Sequence, residues 1–208
     1  KITELGGSDK VAAFFAEPIM GSGGVIVPPE NYLTRMWEVC KENDILFVAD
    51  EVVTAFGRLG HWFASEAVFN IRPDIITTAK GLTSGYQPLG ATLFSEKIWE
   101  VISAPGNGRY FAHGFTYTGH PVACRAALKN IEIMEREGIL EHVREVGPYF
   151  VKQLKTLEEL PIVGEVRGNH FMVCIENVAN KKSRSRFSEN IDIGQRITDE
   201  CASRGVLI

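Results

Sequence analysis

The stretch TTAKGLTSGYQPLGA, Thr77–Ala91, decides how the rest of the chain is read. It begins in the tail of an apolar run, PDIITTA from Pro73, that reads as a strand buried on both faces and ends at Lys80. An ammonium at the end of such a strand is costly unless something needs it there. After it, glycines and a proline mark a loop that leads into a further strand, Leu89–Ser95.

Working outward, two more runs have the same texture, VAAFFAEP (Val11–Pro18) and ILFVADEVV (Ile45–Val53). Between them Leu33, Met36, Trp37 and Cys40 form one helical stripe. Strands alternating with helices predict a mostly parallel α/β sheet. A longer helix follows at HPVACRAALKNIEIMEREG, with Pro121 at its first turn, Gly138 at its stop, and Cys124, Ala127, Leu128, Ile131 and Met134 as its buried face.

From about Glu141 the texture changes. A helical stretch runs to about Leu160, VGEVRGNHFMVCIEN reads as one or two strands, and a polar loop with KKSRSR precedes a helix around Ile193–Cys201. The expected division is therefore a large α/β domain over 1–140 and part of a smaller α+β domain over 141–208. KITELGG resembles the tail of a helix at its glycine stop, and SRGVLI a strand just begun, so the chain reads as part of a longer protein.

The composition is that of a globular chain: 208 residues, 45% hydrophobic, 23% charged. A net charge of -4 leaves no basic footprint for nucleic acid or an anionic membrane. Four dispersed cysteines include no CxxC pair for zinc or redox work and suit a reducing compartment. No apolar run approaches the roughly 20 residues of a membrane helix. Cytoplasm is the expected location.

Three predicted strands end in ionisable residues: Glu17, Asp50 with Glu51, and Lys80. Open α/β sheets bind ligands beyond the carboxyl ends of their strands, so one site holding carboxylates and a lysine is expected. The alternative is a buried Asp50–Lys80 ion pair, a weak stabiliser. A lysine in a crevice can form a Schiff base with an aldehyde. If that aldehyde is pyridoxal 5′-phosphate, a carboxylate must keep its pyridine nitrogen protonated, a role open to Asp50. GFTYTGHP, Gly114–Pro121, offers hydroxyls and backbone N–H groups for a phosphate before a helix N-terminus.

AEPIMGSGGVIVPP, ADEVVTAFGRLGHWFA, PDIITTAKGLTSGYQPLGA and HGFTYTGHPVAC, in that order, resemble the class III pyridoxal-phosphate aminotransferases of fold type I. DEVVT and HGFTYTGHP look like the branch of ω-amino acid and amine:pyruvate transaminases, whereas ornithine and 4-aminobutyrate branches tend to carry glutamine at the position of Val53. The resemblance implies that Lys80 carries the cofactor as a Schiff base and moves the substrate proton, and that Asp50 pairs with the pyridinium. It implies that Val52 packs on the pyridine ring, that Thr116, with Phe115 beside it, serves the phosphate of a neighbouring subunit's cofactor, and that Glu17 borders the substrate pocket. It also implies a homodimer with its site at the interface, an amino donor and a 2-oxo acid as substrates, and turnover through pyridoxamine phosphate.

An aminomutase, a dialkylglycine decarboxylase or a catalytically incomplete piece of such an enzyme remain as alternatives. The earlier phosphate loop, the stacking aromatic and the carboxylate-binding arginine of that family are expected outside this chain. Glu51 and Arg58 fit a site role or a loop anchor equally, and His61, Trp62 and Tyr86 fit pocket lining or loop packing. Gly21, Gly23 and Gly24 read as a turn. Asn169 and His170 depart from the smaller, glycine-containing run of relatives, which leaves the local backbone there open.

Overall fold

The computed structural model describes residues 1–106, 108 and 111–208. Its centre is a four-stranded sheet of β1 (Ala13–Ala16), β2 (Leu46–Asp50), β3 (Ile75–Thr78) and β4 (Ala91–Phe94), in that spatial order. β1, β2 and β3 run parallel, while β4 returns antiparallel to β3. The connection explains the reversal. A parallel crossover usually needs a helix, and between β3 and β4 lies a single 3-10 turn, Lys80–Leu82.

The core forms where helices cover this sheet. Helix α1 (Tyr32–Glu42) joins β1 to β2 and buries Leu33 and Cys40 against Phe47, Ala49 and Ile71. Burial, with Asp74 nearby, pushes the Cys40 thiol up from its ordinary value. β2 is the strand buried on both faces, with Phe47, Val48 and Ala49 sealed from solvent. β1 differs from its expected burial: it lies at an edge, and Phe15 is 67% exposed. Helix α2 (Ala64–Phe69) leads into β3, and α3 (Glu96–Ser103), which the sequence reading did not anticipate, follows β4.

Helix α4 (Pro121–Arg136) starts at the predicted proline, but its inner face is rotated from the expected one. Ala123, Ala127 and Met134 are buried, whereas Leu128 is 59% exposed. Asn130, on the stripe of Ala123, Ala127 and Met134, faces inward with them and hydrogen-bonds the 3-10 turn after β3. Helix α5 (Ile139–Lys155) follows after Gly138, whose left-handed φ of 62° allows the sharp turn between the two helices.

The remainder is a hairpin of β5 (Val163–Asn169) and β6 (Met172–Asn177), then a polar loop and α6 (Ile193–Ser203). Beyond α6 the residues 204–208 form no strand, and the N–H groups of residues 204–206 bond back to the last turn of the helix. At the other end Thr3–Leu5 is one 3-10 turn stopped by Gly6 at φ 95°, as KITELGG suggested.

Candidate active site

Glu17 follows the last residue of β1, Asp50 is the last residue of β2, and Lys80 stands two residues past β3. Strand register puts Ala16 beside Ala49 and Asp50 beside Thr77, so all three groups gather at one end of three parallel strands. This is the end at which open α/β sheets bind ligands.

The chain locks Asp50 in place by hydrogen bonds on either side of it. Its Oδ1 accepts the Val52 N–H at 3.1 Å, an Asx-turn. Its Oδ2 accepts nothing from the described residues. Next to it, Glu51 donates its N–H to Thr77 O at 2.8 Å and turns its side chain the other way into the core. There it is fully buried and takes four donors: Thr54 Oγ1 (3.1 Å) and Ala64 N (2.6 Å) on Oε2, Ser65 N (2.8 Å) and Ser65 Oγ (2.5 Å) on Oε1. Of the two readings open for Glu51, the geometry supports the anchor: it ties the loop after β2 to the first turn of α2. Val52 lies beyond β2, which ends at Asp50, and the Asx-turn keeps it beside that carboxylate.

Asp50 and Glu17 line one cavity of about 560 Å³, walled by Phe15, Met20 and Tyr32. Glu17 Oε2 accepts the Gly21 N–H at 2.8 Å, which closes the turn over Gly21–Gly24. Arg167 on β5 reaches that turn and donates from Nε to Gly24 O at 2.7 Å, so the hairpin braces the loop carrying Glu17. The glycines thus serve a turn, as expected.

Lys80 is exposed and makes no ion pair among the described residues, which removes the Asp50–Lys80 pair as an explanation. Its backbone is unusual: φ is +38°, in the left-handed region that costs a non-glycine residue about 1–2 kcal/mol. The following residue must be glycine, since a Cβ on Gly81 would lie 2.8 Å from Phe56 Cβ. Lys80 lines a second cavity of about 220 Å³ with Val53, Phe56, Arg58, Ile139 and Phe171.

Arg58 and the hairpin tip form one wall of that second cavity. Arg58 donates to Phe171 O at 3.1 Å, and Phe171 N–H donates back to Arg58 O at 3.4 Å. His170 sits at φ 47° in the turn between β5 and β6, a conformation glycine adopts freely. It fits because Gly147 on α5 leaves room: a Cβ there would lie 2.5 Å from the imidazole. Burial, then the charges of His61 and Arg144, hold the His170 imidazole below its ordinary value, and burial with Arg144 does the same to His61. The Trp62 ring meets Phe56 edge-on, and the Phe56 and Gly57 N–H groups bond the Trp62 and His61 carbonyls, which packs this loop on itself. Tyr86 is exposed.

Phe115 and Thr116 are not brought to Asp50 or Lys80 within one chain. Every residue from Phe111 to His120 is exposed, Phe115 at 75%. Phe115 N–H donates to Thr118 Oγ1 at 2.8 Å, its ring meets His113 edge-on, and the row Phe111, Phe115, Tyr117 presents an apolar face outward.

Comparison with known proteins gives this arrangement its family. A profile described as aminotransferase class-III matches residues 2–208. The chain belongs to the class-III aminotransferases. It is 46% identical over 209 residues to a putrescine–pyruvate aminotransferase of Pseudomonas aeruginosa, covering 100% of this chain and 44% of that protein. It is 44% identical over 203 residues to a probable mitochondrial gamma-aminobutyrate transaminase of Oryza sativa subsp. indica, covering 97% of this chain and 40% of that protein. Among solved structures, an amine transaminase from an uncultivated Pseudomonas species in its PLP-bound form superposes with a TM-score of 0.92 at 44% identity, covering 99% of this chain and 46% of that one. The fold is thus that of the class-III transaminases, and the chain spans less than half the length of these relatives.

The residues present fit the pyridine and aldehyde ends of pyridoxal phosphate. Asp50 offers one unoccupied carboxylate oxygen, and Lys80 an amine with no partner among the described residues. The phosphate end does not fit the cavity of Asp50, whose ionisable lining is the two carboxylates and Tyr32. Sequence reasoning left Glu51 open between a site role and the anchor, and it missed Asn130, hidden among apolar stripe residues.

Proposed function

We propose that the protein is a pyridoxal-phosphate-dependent aminotransferase that moves an amino group from an ω-amino acid or amine to a 2-oxo acid such as pyruvate. The observation that carries this reading is the strand-end pairing of an open Asp50 oxygen with an unpaired, backbone-strained Lys80. When bound, the cofactor supplies an electron sink for breaking a C–H bond at the carbon bearing the amine. Lys80 Nζ would hold the cofactor's aldehyde carbon and would carry the substrate proton. Asp50 Oδ2, which takes no donor from the described residues, would accept from the pyridine nitrogen and favour its protonated form. Val52, held beside Asp50 by the Asx-turn, would pack on the ring. Glu17, tied to Gly21, borders the substrate space.

In this reading the exposed segment Phe111–His120 enters a second copy, and Thr116, with Phe115 beside it, meets the phosphate held there. The two-domain division near residue 140 follows the separate sheets, β1–β4 and β5–β6. The four cysteines are free thiols, which suits the cytoplasm. No helix of the described residues is long and apolar enough to cross a membrane.

Val53 and the putrescine–pyruvate relative favour pyruvate as acceptor. A panel of amines and ω-amino acids against pyruvate and 2-oxoglutarate tests the reading. Turnover with pyruvate at least tenfold above 2-oxoglutarate supports it. Equal turnover with both overturns the branch assignment, and none with any donor overturns the activity.

A further inference from the structure

Lys80 differs from Asp50 in how it is aimed. The Asp50 carboxylate is fixed by the Val52 N–H, whereas the Lys80 ammonium has no protein partner among the described residues. Its four-carbon stem has free rotors. What the protein itself fixes is the Cα–Cβ direction from which that stem reaches, and the backbone there stands at φ +38°. A left-handed non-glycine residue persists only where its surroundings over-determine it.

The surroundings come from two sides. On one, Phe56 Cβ packs so close to Gly81 that no side chain fits. On the other, a single side chain from α4 holds the turn. Asn130 Nδ2 donates to Gly81 O at 2.8 Å and to Leu82 O at 3.2 Å, while its Oδ1 accepts from Ser84 Oγ at 2.8 Å. Two carbonyl oxygens can be met only by N–H, so the amide has one orientation. The turn's own bonds run from Leu82 N to Ala79 O and from Thr83 N to Lys80 O, and leave Leu82 O to Asn130 among the described residues.

We propose that Asn130, about 50 residues from the lysine in sequence, is a positioning residue that holds the Lys80 turn in its left-handed form and so aims Nζ at the cofactor's aldehyde. The inference rests on Lys80 being the covalent anchor. Asn130 touches neither substrate nor cofactor; it acts through the backbone of Gly81 and Leu82.

The discriminating substitution is Asn130→Asp, which keeps size and the acceptor for Ser84 but sets a carboxylate oxygen against two carbonyls. Asn130→Ala removes these three bonds and the weaker one from Nδ2 to Met134 Sδ. Both are made in the whole polypeptide, titrated with pyridoxal 5′-phosphate, reduced with borohydride and mapped by mass spectrometry, with bound-cofactor absorbance followed against pH. Thr34→Val, which deletes a comparable bond to Phe69 O far from the turn, is the stability control.

Loss of two hydrogen bonds at the root of the lysine corresponds to about a tenfold weaker covalent occupancy of Lys80 at subsaturating cofactor. The pH midpoint of the bound absorbance moves in both Asn130 variants. Thr34→Val lowers thermal stability by a similar amount without moving that midpoint. Wild-type occupancy and an unmoved midpoint in Asn130→Asp overturn the proposal, as does an equal shift in Thr34→Val. Absence of label on Lys80 in the unsubstituted protein overturns the anchor reading itself, which separates the two failures.

Discussion

Replacing Glu51 by glutamine changes one atom at a fully buried site and carries a cost that can be worked out from its neighbours. Four donors meet its two oxygens, an arrangement suited to an acceptor-only carboxylate. In Glu51→Gln one oxygen becomes NH2. Each side of the carboxylate faces one hydroxyl and one backbone N–H: Thr54 with Ala64, and Ser65 with itself. A hydroxyl can rotate to accept from the new amide, but a backbone N–H cannot. One buried N–H is orphaned at about 1–3 kcal/mol, and the two remaining bonds lose charge assistance at about 1 kcal/mol each. The expected loss is about 3–5 kcal/mol, a large share of the 5–15 kcal/mol that holds a typical domain. Urea unfolding followed by tryptophan fluorescence measures it. A loss under about 1 kcal/mol at unchanged denaturant dependence would refute the anchor, because an orphaned donor alone costs that much.

Two further outcomes follow from the same structure. His170 and His61 are both held below the ordinary histidine value, so the unfolded chain binds more protons near pH 6 than the folded one. Stability should fall as the pH drops through about 6.5 and level off below the folded-state values; His170→Asn, which tolerates the left-handed turn, should flatten thermal midpoints between about pH 7 and 5.5. An unchanged slope counts against the histidine cluster. At the lysine turn, Lys80→Gly relieves backbone strain while adding unfolded-state freedom, so its stability is unchanged or raised by up to about 1.5 kcal/mol. Gly81→Ala meets Phe56 and costs about 1–3 kcal/mol, and equal effects of the two in denaturant titrations would contradict the geometry at this turn.

What the sequence made legible is what its local pattern encodes. Charges at the ends of apolar runs identified Glu17, Asp50 and Lys80, because a carboxylate or ammonium breaking a strand pattern is visible without any neighbour. Pro121 and Gly138 marked the ends of α4 for similar local reasons. Partners distant in the chain were not legible. Glu51 is explained by Ala64 and Ser65, and Asn130 by Gly81 and Leu82, contacts 13 and 49 residues apart for Ala64 and Gly81. The exposure of Phe15 depends on β1 lying at an edge, which a strand's own residues do not reveal. The strain at Lys80 was equally hidden, since a lysine gives no local sign of positive φ.

The central claim is that Lys80 covalently holds the cofactor. Borohydride reduction of the whole polypeptide with pyridoxal 5′-phosphate, followed by peptide mapping, tests it most directly. The account requires one stoichiometric label, on Lys80, lost in Lys80→Ala while the fold is retained. A label on another lysine, such as Lys97 or Lys129, or no label at saturating cofactor, would contradict it.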